Sequence, residues 1–177
     1  MAKWTIKKGW HTSLSNLWQR IIPKWNDTPV MYDFKISKEN WYPFIEPDDL
    51  DINKLCGFSF GKHHKNSVRV GWTPDFTNSN RFTLHFYLYN GGIRKMAKFV
   101  DIQADTDYSV KISFIKQLGY VTFTLFNSDG YEIARGSEKF IVPENRPGYY
   151  LWFYFGGNKV APKKMICWLR KRRNFSM

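Results

Sequence analysis

From residue 81 to residue 89 the chain reads RFTLHFYLY, an unbroken alternation that puts Phe82, Leu84, Phe86 and Leu88 on one side and Arg81, Thr83, His85, Tyr87 and Tyr89 on the other. Successive side chains of an extended chain point to opposite faces, so one face of this strand is core and the other is polar and aromatic. The same period of two runs through VMYDFKIS (30–37), KLCGFSFG (54–61), SVRVGW (67–72), YSVKISFIK (108–116) and YVTFTLF (120–126). NGG at 90–92 and SDG at 128–130 are strong turn signals, so the intervening IRKMAKFVDI and the following YEIARG read as further antiparallel strands. YYLWFYF (149–155) is apolar or aromatic on both faces, which predicts a central strand covered on both sides, and KMICWLRK (164–171) is the closing strand.

Before residue 30 the pattern is irregular. Pro23 and Pro29 interrupt it, and SLSNLWQRII (13–22) predicts one short helix behind a Ser cap. WYPFIEPDDLD (41–51) breaks the alternation again with two prolines and an acidic cluster. Nine to eleven short strands with almost no helix predict an all-β protein, a two-sheet antiparallel β-sandwich rather than a barrel. The expected layout is an N-terminal arm over 1–29, a sandwich domain over 30–170 and a basic tail over 171–177.

Composition sharpens this picture. The chain has 177 residues, enough for one core, and 19 % of them are Phe, Tyr or Trp, which suits a pleated, half-buried surface. No run of 18 apolar residues is present, and MAKWTIKKGWHTSLSNLW lacks the apolar stretch of a signal peptide. The expectation is a cytoplasmic chain without a signal peptide or a membrane span. Cys56 and Cys167 both sit inside apolar strand-like segments, as buried free thiols do. Trp4, Trp10, Trp18 and Trp25 in the irregular arm need a surface to cover them, which points to an arm that reaches a partner.

The net charge is +12, from 27 Lys and Arg against 15 Asp and Glu. Such an excess attracts polyanions of any kind: glycan, nucleic acid or an acidic protein partner. Part of it is concentrated at the end, where Arg170, Lys171, Arg172 and Arg173 form a candidate polyanion-binding tail.

LWFYFGGNKVAPKKMICWL (151–169) resembles the closing pattern of concanavalin A-like lectin and glucanase jelly rolls, in which a strand ends in a Gly-Gly-Asn turn and Ala-Pro leads into a last strand pairing near the first. NKLCGFSFGKHHKNSVRVGW (53–72) followed by FTLHFYLYNGGIR (82–94) is similar to small jelly-roll proteins of gut Bacteroidetes and their phages. The resemblance implies two curved sheets with a concave, sugar-binding face. It places Arg69, His85, Tyr87, Tyr89, Lys111 and Tyr154 on that face as candidate ligand-binding residues, with His64 and Asn66 at its rim.

Catalytic chemistry finds little support in the residues. Glucanases of this fold carry Glu-x-Asp-x-x-Glu on one strand, so that two carboxylates flank the glycosidic bond. Here the acids cluster instead in EPDDLD (46–51) and DIQADTD (101–107). Of an alginate-lyase-like set only the fragments Arg69, His85 and Tyr154 are present. His63 and His64 are adjacent, and on an extended chain adjacent residues point apart, so no metal site or other cofactor is expected. HHKN is instead read as a strand connection whose polar groups satisfy the turn backbone. The expected role is a non-catalytic binding or assembly module, carbohydrate-binding, with a phage virion structural or decoration protein as a second use of the fold and self-association or virion assembly as its context. The alternatives are a polysaccharide lyase acting on acidic glycan and a nucleic-acid-binding protein.

Overall fold

The computed structural model describes residues 1–14, 23–24, 28–143 and 147–172. Among the described residues twelve strands, in chain order, are β1 (Ala2–Ile6), β2 (Pro23–Lys24), β3 (Val30–Ile36), β4 (Asn53–Ser59), β5 (Ser67–Pro74), β6 (Arg81–Asn90), β7 (Ile93–Gln103), β8 (Tyr108–Ile115), β9 (Tyr120–Phe126), β10 (Glu132–Lys139), β11 (Gly148–Leu151) and β12 (Met165–Lys171). They form two six-stranded antiparallel sheets, the first in the order β1-β12-β3-β8-β9-β10 and the second in the order β2-β11-β4-β5-β6-β7. The protein is an all-β sandwich.

The alternation seen in the sequence decides which face each strand buries. Tyr32, Phe34, Val110, Ile112, Phe123 and Leu125 of the first sheet face Phe58, Val68, Val70, Trp72, Leu84 and Phe86 of the second across the core. Phe86 stacks on Phe123 at 4.2 Å between ring centroids. Each fully buried large apolar side chain contributes roughly 1.5–3 kcal/mol, so the interlocked aromatic rings and the aliphatic side chains between them together drive the stacking of the sheets. A polar link crosses the same core: the Tyr32 hydroxyl donates to the Gly57 carbonyl at 2.8 Å. Gly57 is required there, because a Cβ would lie 2.1 Å from the Val68 carbonyl oxygen.

Two expectations are corrected. Residues 2–6 belong to the sandwich rather than to an irregular arm: β1 pairs with β12, Trp4 opposite Cys167, and Trp4 and Ile6 are fully buried. The alternation of Trp4 and Ile6 with polar neighbours in AKWTI suffices for a short edge strand. Residues 9–12 continue along the domain, with Gly9 donating to Ala161, and Phe155 to His11, through the backbone. Trp10 is partly exposed, while Trp18, Trp25 and most of the expected helix over 13–22 lie outside the described residues.

The second correction concerns YYLWFYF. The ladder ends at Leu151, and beyond it Tyr154 makes only single bridges to Thr12 and Lys54. Trp152 leaves the sheet to stack on Trp4, 5.1 Å away and nearly parallel. Both cysteines are free and buried as expected, and burial raises their thiols well above the ordinary range. No helix of the described residues is long and apolar enough to cross a membrane.

Candidate functional site

On the outer face of the second sheet the departure of residues 152–158 from the ladder raises a wall, and the space between that wall and strands β4–β7 is a cavity of about 460 Å³. This is within the usual range of small-molecule sites, roughly 300–1,000 Å³.

The acidic loop holds the wall in place. Gly156 donates to the Asn53 side-chain oxygen at 2.6 Å, and its φ of +65° favours glycine. The Gly157 and Asn158 amides both donate to one Asp51 carboxylate oxygen at 3.2 Å. Lys159 is ion-paired with Glu46 at 2.7 Å and with Asp49, whose carboxylate also accepts from the Ile45 and Glu46 amides. Glu46, Asp49 and Asp51 are therefore committed to building the wall, and among the described residues no Asp or Glu lines the cavity.

The floor carries cations. Lys54 is only 5 % exposed, donates to the Gly156 carbonyl at 2.7 Å and lies 4.6 Å from the Tyr87 ring centroid. A bulge between Lys54 and Cys56 turns this lysine outward from a strand that is otherwise buried. Burial, reinforced by Arg69 and Arg94, lowers its pKa to about 8. Arg69, from β5, has its Nε buried with no hydrogen-bond partner among the described residues, and burial lowers its pKa too. Arg94, from edge strand β7, is close to Tyr87, whose phenol raises the guanidinium pKa. Burial, with the neighbouring Tyr89 next, pushes Tyr87 up to about 12, so it stays a neutral phenol. Tyr89, Tyr149, Tyr150 and Tyr154 complete the aromatic lining.

His63 and His64 also line the cavity, although adjacent residues of a strand would point apart. They occupy the turn between β4 and β5, where that rule does not hold, and their rings lie 4.1 Å apart. His63 Nδ1 is 2.7 Å from the Tyr149 hydroxyl, and His64 packs edge-on against Tyr89. Burial, then the nearby Arg69 and His64, lowers the His63 pKa to about 4, which leaves it neutral near pH 7.

Of the residues singled out in the sequence, Arg69, Tyr87, Tyr89, Tyr154 and His64 come together in this cavity. His85 shares their face but does not line the cavity; its Nε2 is 2.9 Å from the Thr73 hydroxyl. Lys111 belongs to β8 of the first sheet, where it pairs with Met31 and Thr124 on the opposite outer face. The alternation of YSVKISF sets which face Lys111 takes within its own strand but not which sheet that strand joins. Asn66 is buried and holds the turn, accepting from the Gly91 amide at 3.0 Å. The basic end is partly a structural network: Arg170 and Arg172 both donate to Asp33, at 2.6 and 2.7 Å, and Lys171 sits 4.4 Å from the Tyr150 ring. Arg173 lies outside the described residues. Sequence reading missed Lys54, His63, Arg94, Tyr149 and Tyr150. Among the described residues no group of three or more His, Cys, Asp or Glu side chains could hold a metal ion.

No family model matches the chain, and no curated protein sequence matches it. Among solved structures, a Saccharomyces cerevisiae protein of unknown function aligns at 9 % identity over 86 % of this chain and 74 % of its own, with a TM-score of 0.53. The CBM2 module of the evolved Dit protein of Lactobacillus casei BL23 phage J-1 aligns at 14 % identity over 98 % of this chain and 70 % of its own, TM-score 0.45. The carbohydrate-binding module CBM66 from Bacillus subtilis aligns at 10 % identity over 85 % and 74 %, TM-score 0.42. The first of these establishes a shared fold and nothing further.

Proposed function

We propose that the protein is a non-catalytic carbohydrate-binding module and that the sugar sits in the cavity on the second sheet. The observation that carries this reading is the aromatic lining: five tyrosines, Tyr87, Tyr89, Tyr149, Tyr150 and Tyr154, converge on one space that also offers Lys, Arg and His donors. Flat ring faces cover the apolar side of a pyranose, and nearby donors reach its hydroxyls. A phage virion decoration role and attachment to an acidic partner are uses this same module would serve.

A second reading, a polysaccharide lyase, draws on a different set from the one the sequence suggested. Arg69 and Tyr154 line the cavity without His85, whereas His63 touches Tyr149 there. A histidine held at about pKa 4 is a weak proton acceptor near neutral pH, which favours binding over elimination.

The test is a glycan array at low and physiological salt, with wild type beside a Tyr89→Ala, Tyr154→Ala variant. Salt-resistant binding to defined sugars that the variant loses supports the reading. Binding to every polyanion alike, abolished by salt, contradicts it. Formation of unsaturated uronate products from a bound acidic glycan would establish the lyase instead.

A further inference from the structure

We infer that the cavity is selective for sugars bearing an anionic group, held between Arg69, Lys54 and Arg94; this rests on the carbohydrate-binding reading above. Three cationic side chains, from β4, β5 and β7, meet in one space whose lining contains no carboxylate among the described residues. Asp51, close enough to act on Lys54 and Arg94, accepts from the Gly157 and Asn158 amides.

A charge withdrawn from water without a counter-charge is costly, and proteins ordinarily pair it. The fold does so elsewhere, as Asp33 shows with its two arginines. Inside the cavity Lys54 forms no ion pair among the described residues: it meets a carbonyl and two aromatic faces, with Asp51 acting only at longer range. Arg69 is surrounded by tyrosines and has a buried Nε with no acceptor among the described residues. A carboxylate or sulfate on a sugar ring would accept from the Arg69 guanidinium and from Lys54, while the ring lies against the tyrosines. Charge-assisted hydrogen bonds of this kind are the stronger sort, and partial burial shields them from salt.

The experiment is isothermal titration at physiological salt with three probes of equal length: a hexuronate oligosaccharide, the same oligosaccharide with its carboxylates reduced to alcohols, and a sulfated neutral one. The uronate is expected to bind about tenfold or more tighter than its reduced counterpart, the yield of one charge-assisted hydrogen bond. Arg69→Gln should narrow that ratio to within about threefold, while Tyr89→Ala weakens both probes together. Arg94→Gln, on an exposed edge strand, reads the same ratio should Arg69→Gln fail to fold. Sulfate binding as well as carboxylate extends the anion subsite to both groups; uronate alone restricts it to the carboxylate. Equal affinity for the uronate and its reduced form, or a ratio that survives both variants, overturns the anion subsite and leaves the sugar reading standing. No binding of any probe removes the sugar reading as well.

Discussion

The two sheets turn opposite outer faces to solvent, and both are basic and aromatic, yet they handle charge differently. On the first, Asp33 accepts from Ser109 at 2.7 Å and from Arg170 and Arg172, and Lys35 lies 3.7 Å from Asp107. Trp168 lies between Lys3 and Lys35. Burial would raise Asp33, but the donated hydrogen bonds hold it below the usual carboxylate range. On the second sheet Asp101 pairs with Lys98 and Asp49 and Asp51 hold the wall, so among the described residues Lys54, Arg69 and Arg94 share a cavity lined by no carboxylate. A basic sequence thus says nothing by itself about where charge is left uncompensated. That depends on where the few carboxylates go.

The largest effect that would sharpen this contrast is on the compensated face. Asp33→Ala leaves two partly exposed guanidiniums and Ser109 without their shared carboxylate, and is expected to cost about 2 kcal/mol and lower Tm by about 4–8 °C, read by calorimetry, with sugar affinity unchanged. A loss of sugar affinity at constant stability would mean the ligand sits on that face instead.

The next effect is on affinity. Lys54 is faced by Arg69 from β5, Tyr87 from β6, Arg94 from β7, Tyr154 from the wall and Asp51 from the acidic loop, and its pKa is about 8. An anionic ligand favours the charged form, so the complex binds more protons than the free protein above that value. Affinity for an acidic sugar should be full below pH 8 and fall by up to about tenfold per unit above it, measured by titration at pH 7 and pH 9. A neutral sugar should show no such fall.

Smaller still is the acid response of the second sheet. His63, beside Arg69, His64 and Tyr149, and His85, beside Lys98, Asp101 and Thr73, both have pKa values of about 4. Burial is the main cause in each. The unfolded chain takes up protons near pH 6.5 and the folded one does not, so stability should fall as pH drops from about 6.5 towards 4. Discounted for partial exposure, Tm is expected to be about 5 °C lower at pH 5 than at pH 7, and a His63→Gln, His85→Gln variant should lose most of that difference. Smallest of all, Lys111→Ala should leave sugar binding unchanged, since Lys111 is on the other sheet.

The fold was legible because period two survives wherever one face meets the core: VMYDFKIS, SVRVGW, RFTLHFYLY and YVTFTLF all form strands with their apolar set inward. Half of the cavity was legible for the same reason, since Arg69, Tyr87 and Tyr89 are the polar side of two paired strands. What alternation cannot carry is a break in itself. The bulge at Lys54, the turn that brings His63 beside His64 and the exit of Trp152 onto Trp4 each depend on a tertiary contact. Sheet membership is equally invisible in one strand's pattern, which is why Lys111, expected beside Arg69 and Tyr87, lies on the other sheet.

The central claim is that the cavity holds positive charge which the fold does without and the ligand needs. Urea denaturation of Arg69→Met with no sugar present, beside titration of the same variant with the hexuronate oligosaccharide, tests it most directly. The expected result is an unfolding midpoint equal to or above that of wild type, together with affinity reduced by about tenfold or more. A stability loss comparable to that of Asp33→Ala, with affinity for the sugar retained, would contradict it.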